Sequence, residues 1–436
     1  SIEDQPIEFP KKIREVYEKN YKLNRSQFTN WIDKFNLKNK KDIDWWMTLP
    51  STRDPYKSQM FNYVCVVDTL KKINQKNLKI NTKSNIKYYS LCKSFKKLSS
   101  KIKVKNKEKL KFFTICLNYF KSIFFQLLIF IYINCFVKKQ IVTGKNCTII
   151  DIFITNNKKQ NSNFYPPYQN DKKEIFFVPT FIPTLNYFKL FKIINDISKK
   201  NNFLFKEHYL SLADLFYSFF HIFRRKKFLK LKFFYKNFDF SEIVHEEINS
   251  FKDFNSIFTG LLNYKFFKNL KIKKIKIKKT LNWFENQIID KGWNLGFRTF
   301  FKEEEENSYG IQDFGKHYNM INNSPSYAES KAKVIPNKIT VISKLYLNMT
   351  KEFHGKQKVF LGSSWRFKDI KKNSFKVSKK RKKILLVLCG IYEIDKILID
   401  LIFKTCSENK KLIINVKAHP ILNIEKIINK NLPKNI

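Results

Sequence analysis

The sequence predicts an α/β fold built on a parallel sheet, and three observations carry that prediction. From about residue 140 onward, short β-rich apolar runs alternate with longer segments whose apolar residues recur three and four apart, as in parallel strands joined by helical crossovers. Hydrophobic residues make up 43% of the 436-residue chain, with 45 Phe and 20 Tyr, which supplies a large core and excludes a disordered basic chain. A charged run, "SKKRKK" at 378–383, then separates this long region from one further strand–helix–strand set.

Taken in order, residues 1–60 hold few aliphatics, but Asp42 to Leu70 ("DIDWWMTLPSTRDPYKSQMFNYVCVVDTL") is dense in aromatic and turn residues. Lys71 to Lys111 carries 15 Lys against one acid, Glu108, and reads as solvated helix and loop. "SIFFQLLIFIYINCFV", Ser122 to Val137, is an uncharged run of 16 residues. A spanning helix needs about 20 apolar residues. This run is shorter and contains Gln126 and Asn134, so a buried or interfacial helix is expected. Strands follow at "QIVTGKNCTIIDIFIT" and "EIFFVPTFIP", and helices at "YFKLFKIINDISKKNNF" and "FNSIFTGLLNYKFFKNL". "KKTLNWFEN", "NSYGIQDF", "NKITVISK" and "KQKVFLGSS" add four strands. Beyond the charged run, "ILLVLCG" and "LIINVKAHP" are strands flanking an amphipathic helix, "EIDKILIDLIFKTCSENKK".

The expected domains are therefore 1–370, with a basic and apolar insertion at 71–137, then a linker at 371–383, then 384–436 as a first βαβ unit. A doubly wound domain normally takes about 100 residues or more, so the second domain is expected to be incomplete. The chain opens with neither a signal peptide nor an initiator Met, which suggests a missing start.

The formal charge of +48 comes from 77 Lys and only eight Arg. A polyanionic partner is one reading. Only four Ala and nine Gly occur beside the abundant Lys, Asn, Ile and Phe, so an AT-biased genome accounts for much of the surplus. Nucleic-acid sites lean on the planar fork of Arg, which is scarce here, so no nucleic-acid partner is expected. An anionic membrane surface is the partner that a Lys surplus beside an apolar helix fits. The seven Cys form no CxxC pair and no His lies at ligand spacing from them, so neither a metal site nor a disulfide framework is expected, and a reducing compartment fits.

The densest chemistry lies in "NWFENQIIDKGWNLGFR", Asn282 to Arg298. The strand-like "TLNWFEN" ends in Glu285, Asn286 and Gln287. A helix follows, with Ile288, Trp293, Leu295 and Phe297 on its apolar side. Open α/β sheets bind ligands at the C-terminal ends of their strands, so these polar residues form a candidate site. The competing reading is that Glu285 or Asn286 caps the helix. "SYGIQDFGKHYNM" repeats the design with Gln312, Asp313, Gly315 and His317; His317 taken singly is an ordinary polar residue. "NVKAHP" places Lys417 and His419 at the exit of the last strand, where such side chains can meet a phosphate. No GxGxxG, GxxxxGKS, GxSxG or HExxH pattern occurs.

These stretches, together with "WWMTLPSTRDPYKS", "NNSPSYAESKAKVIPNKITVISKLY" and "KVFLGSSWRF", occur in one order from Asp42 to Pro420. In that order the chain resembles the bacterial surface carbohydrate biosynthesis protein family, glycosyltransferase-like proteins of lipopolysaccharide and O-antigen gene clusters. Glu285, Asn286 and Gln287 match its "ENQ" element, Gln312 its "GYQ"-like element, and Lys417 and His419 a "KxHP" element of related transferases. Ile311 and Asp313 depart from its "GYQGF" pattern, and "FFKEEEENS" replaces a turn that usually carries Pro.

The resemblance implies a GT-B-like architecture: a Rossmann-like acceptor domain and the start of a Rossmann-like donor domain, with no metal and no cofactor beyond a nucleotide-sugar substrate. It implies sugar transfer to a lipid-linked glycan by a cytoplasmic protein held peripherally at the inner membrane. Glu285 would serve as general base or orient the acceptor hydroxyl. Asn286, Gln287, Gln312 and Asp313 would contact sugar, Lys417 and His419 would face donor phosphate, and Asp313 and Asp44 are the next candidates for the base. The other expectations are a non-catalytic glycan-binding or scaffold protein of the same pathway and, more remotely, a nucleic-acid-binding protein.

Overall fold

The computed structural model describes residues 11–55, 57–73, 80–82, 102–104, 111–140, 146–154, 174–181, 187–250, 253–316, 318–362, 383–388, 392–409 and 411–418. The chain divides into two compact units, 1–367 and 368–436.

The first unit opens with helices α1 (Lys11–Lys38), α2 (Ile43–Trp46) and α3 (Met60–Lys72), then a short parallel pair, β1 (Ile80–Thr82) with β2 (Ile102–Val104). Helix α4 (Lys111–Phe136) leads to β3 (Cys147–Ile154) and β4 (Ile175–Phe181). Next come α5 (Tyr187–Ser198), α6 (Leu212–Phe219), α7 (His221–Arg224), an antiparallel pair β5 (Phe234–Tyr235) with β6 (Phe238–Asp239), α8 (Ser241–Ser250) and α9 (Phe254–Ile272). The unit then alternates regularly: β7 (Ile277–Trp283), α10 (Ile288–Phe300), β8 (Ser308–Gln312), α11 (Tyr327–Lys331), β9 (Lys338–Val341), α12 (Lys344–Thr350) and β10 (Lys358–Leu361).

Six of these strands form one parallel sheet in the order β10-β9-β8-β7-β3-β4. Chain order runs outward in both directions from the contact between β3 and β7. That is the switch point of a doubly wound sheet, where a crevice opens beyond the strand ends. Side-chain alternation along β3 buries both faces. Ile149 joins Val178 and Ile277 in the core under α1, α3, α9 and α10, while Ile150 and Ile152 join Phe177 and Leu281 in a second core under α4 and α5.

Helix α4 begins eleven residues before the uncharged run that marks it in the sequence. It is also no appendage: Phe125, Ile129 and Ile133 are buried in the second core. The Lys-rich segment ahead of it lies mostly outside the described residues.

Two of the glycines in the chemically varied stretch have a packing explanation. At the crossing of α9 and α10, a Cβ on Gly292 would lie 1.8 Å from the Gly260 carbonyl oxygen, and one on Gly296 3.0 Å from Phe267 and Tyr264. The helices approach this closely only because neither has a side chain at the crossing. Gly292→Ala is therefore expected to cost about 1–3 kcal/mol or more by overpacking. Gly355→Ala, where nothing lies within 4 Å of the added carbon, is the matched control. Urea denaturation midpoints compare the two, and equal midpoints would contradict this crossing.

The second unit contains β11 (Lys383–Val387), α13 (Tyr392–Glu408) and β12 (Ile413–Lys417), with β11 and β12 paired in parallel, a βαβ arrangement. The linker residues 371–382 lie outside the described residues.

Candidate strand-end site

The strand β7 lies at the switch point, and the chain turns sharply beyond it because Asn286 adopts a left-handed conformation, φ 59°. Asn is among the few non-glycine residues that adopt it readily. Helix α10 then starts at Ile288, with Gln287 as its N-cap residue. Its N-terminus is closed by Asp290, whose Oδ2 accepts the backbone N–H groups of Gln287 (2.9 Å) and Glu285 (3.1 Å) and whose Oδ1 accepts Asn282 Nδ2 (3.2 Å). Neither the Glu285 nor the Asn286 side chain caps the helix, so that competing reading is corrected. Burial pushes the Asp290 carboxyl up to about 8, against the two backbone N–H bonds that favour its charged form and with the Glu285 charge adding to the rise.

Freed from capping, the half-buried Glu285 has its carboxylate held between two donors. Trp283 Nε1 donates to Oε1 (2.8 Å) and Gln287 Nε2 to Oε2 (2.6 Å). Gln287, also half-buried, therefore orients Glu285.

The short turn Ile321–Asn323 links this strand end to that of β8. Asn322 Nδ2 donates to the Glu285 carbonyl (3.2 Å). The Asn323 carbonyl accepts from Gln312 Nε2 (3.0 Å) and Lys316 Nζ (3.3 Å), and Lys316 also donates to the Thr350 hydroxyl. Lys316 is half-buried, and its desolvation brings the ammonium down to about 7. Glu285 and Lys316 thus stand on either side of one turn, beyond two adjacent strands. A carboxylate held by amide and indole donors can accept a hydroxyl proton, and an amine near neutrality can give or take one.

The remaining expected residues are placed differently. Asn286 is fully buried: its Nδ2 donates to both Glu329 oxygens (3.0 and 3.1 Å) and to the Asn322 carbonyl (2.8 Å), and its Oδ1 accepts Lys291 (3.1 Å). Gln312 is equally buried, with its Oε1 accepting from the Thr350 hydroxyl (3.4 Å), and Asp313 is buried too. The amides of Asn286 and Gln312 are thus engaged within the interior, where their sequence-expected sugar contacts would have to displace these bonds. Asp44 is held by Arg224 (2.8 and 2.9 Å) and His221 Nδ1 (2.7 Å). Burial would raise its carboxyl, but those two partners outweigh it and hold it well below the usual range, so it is no free base. Lys417 is exposed at the end of β12 in the second unit; His419 and His317 lie outside the described residues.

Behind the site lies a charge cluster that the sequence reading missed. Glu329 accepts from Lys291 Nζ (2.6 Å), Arg53 Nη2 (2.6 Å) and the Ser326 N–H (2.8 Å), and all three charged side chains are fully buried. Burial would raise the Glu329 carboxyl, but Arg53 and Lys291 hold it down to about 2. Arg53 comes from "WWMTLPSTRDPYKS", Lys291 from the long central stretch and Glu329 from "NNSPSYAES". Three of the stretches that carry the resemblance therefore meet at one ion cluster. Another missed group is Asp151 on β3, buried beside Thr180, whose hydroxyl donates to it at 2.8 Å; desolvation lifts its carboxyl to about 6. Among the described residues, no group of three or more His, Cys, Asp or Glu is placed to hold a metal ion.

The fold is α/β, with a six-stranded parallel sheet compatible with a Rossmann-like domain, and the half-buried Glu285 and Gln287 lie just beyond the end of its switch-point strand. No family model, no curated protein and no solved structure matches the chain.

The lowered Lys316 ammonium has a direct chemical test. With limiting acetic anhydride, an ordinary lysine reacts appreciably only well above neutrality, where it loses its proton. Lys316 is expected to label with a midpoint near pH 7, read peptide by peptide in a mass spectrometer. A midpoint equal to that of the surface lysines would remove the amine from the site's acid–base chemistry.

Proposed function

We propose that the chain is a glycosyltransferase of surface-polysaccharide biosynthesis, moving a sugar from a nucleotide sugar to a lipid-linked glycan at the cytoplasmic membrane face. One observation carries this reading: Glu285 lies beyond the switch-point strand, partly exposed, with both carboxylate oxygens held by donors. A general base for a sugar hydroxyl needs this placement, and Gln287 and Trp283 fix its direction. The resemblance of the "ENQ" and "KxHP" elements supports the same class, and the division into two units suits a GT-B plan. In that plan Lys417 and His419 would serve donor phosphate, with helix dipoles and basic side chains neutralising the leaving diphosphate.

The test incubates the protein with radiolabelled nucleotide sugars and a lipid-linked acceptor and counts label in the lipid fraction. Transfer from at least one donor is expected. The burial of Asn286, Gln312 and Asp313 favours a second reading, a glycan-binding protein without turnover, because it leaves few polar side chains for sugar contacts. Retained glycan binding with no transfer from any donor would establish that second reading.

A further inference from the structure

We propose that the face formed by α4, α5, α6 and the chain just after α6 docks into the headgroup region of an anionic bilayer, with α4 lying along the membrane plane. The inference deepens the membrane setting of the proposed function by naming the surface that meets the lipid.

Helix α4 is the most unusual apolar element of the first unit. Its only charged residues are Lys111 and Lys121. One side carries Phe125, Ile129 and Ile133 into the core, and Gln126 on that side donates to Asn255 at 2.6 Å. The opposite side carries Phe113, Leu117, Phe120, Phe124 and Ile131, all exposed, with Phe113 at 69% and Phe120 at 64%. Steps of four, three, four and seven residues place these five along one stripe of the helix. A stripe of this kind in water is costly, and contiguous apolar surface beyond a few hundred square ångströms marks an interaction site.

Neighbouring elements extend the stripe. The Tyr119 hydroxyl donates to the Phe219 carbonyl (3.1 Å), which fixes the end of α6 beside α4. Leu212 and Phe216 on α6 and Phe220 and Phe223 just beyond it are all exposed. On α5, the Tyr187 ring meets Phe124 edge-on at 6.1 Å, and Phe188 beside it is 86% exposed.

The charges on these elements select the occupant. Lys121, Lys189, Lys192 and Lys226 are exposed among the aromatic residues. Helix α4 contains no acid; α5 carries one, the half-buried Asp196, against Lys189 and Lys192, and Asp214 on α6 is occupied by Ser211 and Asn269. A Phe-rich stripe rimmed with Lys matches the boundary between acyl chains and anionic headgroups, where each Lys adds attraction to the charged surface. At 1.5 Å per residue the helix is roughly 40 Å long, enough to span a bilayer. Its other side, however, is committed to the sheet core, so lipid cannot surround it and the flat orientation follows.

Flotation with phosphatidylcholine vesicles, with and without phosphatidylglycerol, tests the surface without any sugar chemistry. The protein is expected to float with the anionic vesicles and to detach progressively with salt. The double variant Phe120→Glu/Phe223→Glu is expected to partition at least about tenfold more weakly, because two aromatic rings no longer enter the acyl boundary, with unchanged far-UV circular dichroism. Leu345→Glu, an exposed site on α12, should float like the parent. Equal flotation of the double variant, no flotation of the parent, or release only by detergent each overturns the proposal. So does a parent dimer, seen by light scattering, that the double variant dissociates without any lipid binding. Because flotation and sugar transfer are read separately, either proposal can fail alone.

Discussion

Glu329→Ala is expected to destabilise the protein by about 3–5 kcal/mol, the cost of leaving buried charge without its partner. The side chains of Arg53 and Lys291 are fully buried, and Glu329 is the acid that pairs with both, at 2.6 Å each. Arg53 would keep weaker hydrogen bonds to the Ser324 carbonyl (2.9 Å) and the Ile321 carbonyl (3.3 Å), and Lys291 would keep the Asn286 amide oxygen (3.1 Å). Asp33 still acts on Arg53 and Asp290 on Lys291, but neither pairs directly with its cation, so removing the anion costs far more than one hydrogen bond. The urea denaturation midpoint measures the loss, and a change below about 1 kcal/mol would show that water reaches the cluster. Glu329→Gln keeps the shape and isolates the charge. The pH dependence has a definite sign. Because the folded carboxyl is held down to about 2 from its ordinary 4.5, its contribution is complete above the ordinary value and is lost as pH falls towards 2. The parent should therefore gain an acid-labile increment of stability across that window, and Glu329→Gln should lack it.

Much of the sheet is legible in the sequence because its strands are short, β-branched or aromatic and bounded by turns, as at "CTIIDIFI" and "IFFVPTF". The start of α4 is not, because Lys121 interrupts the uncharged run while lying on the exposed side of a helix that simply continues through it. Site residues divide in the same way. That polar side chains lie beyond β7 follows from strand polarity, but an amide at a strand end reads identically whether it points to a crevice or, like Asn286 and Gln312, into the interior. The Arg53–Glu329 pair joins residues 276 positions apart, which no local pattern reveals. Lys316 is one Lys among 77, and only its burial distinguishes it. The variety of Asn282–Arg298 is largely structural in origin: Asp290 closes a helix, Gly292 permits a crossing, and Lys291 neutralises Glu329. Glu285 is the residue of that stretch whose carboxylate has donors to aim it and still meets solvent.

That distinction makes Glu285→Gln the sharpest test of chemistry against scaffolding. If the carboxylate takes the acceptor proton, its loss should lower turnover by about 10²–10⁴-fold. The amide retains one oxygen to accept from Trp283 or Gln287, so the fold loses at most about one hydrogen bond, roughly 0.5–1.5 kcal/mol. Rate and stability therefore move on different scales, and a purely structural Glu285 would reverse the pattern. Gln287→Ala removes the donor 2.6 Å from Oε2 while leaving the base in place. A smaller loss of turnover is expected from it, because the carboxylate is then free to rotate away from its aimed position. Label transfer under single-turnover conditions, paired with thermal melts of each variant, reads both axes. Near-parent transfer by Glu285→Gln with a clear fall in melting temperature would make Glu285 a structural residue. The base would then have to come from another group, and Lys316, across the Ile321–Asn323 turn and brought down to about 7, is the one the geometry leaves.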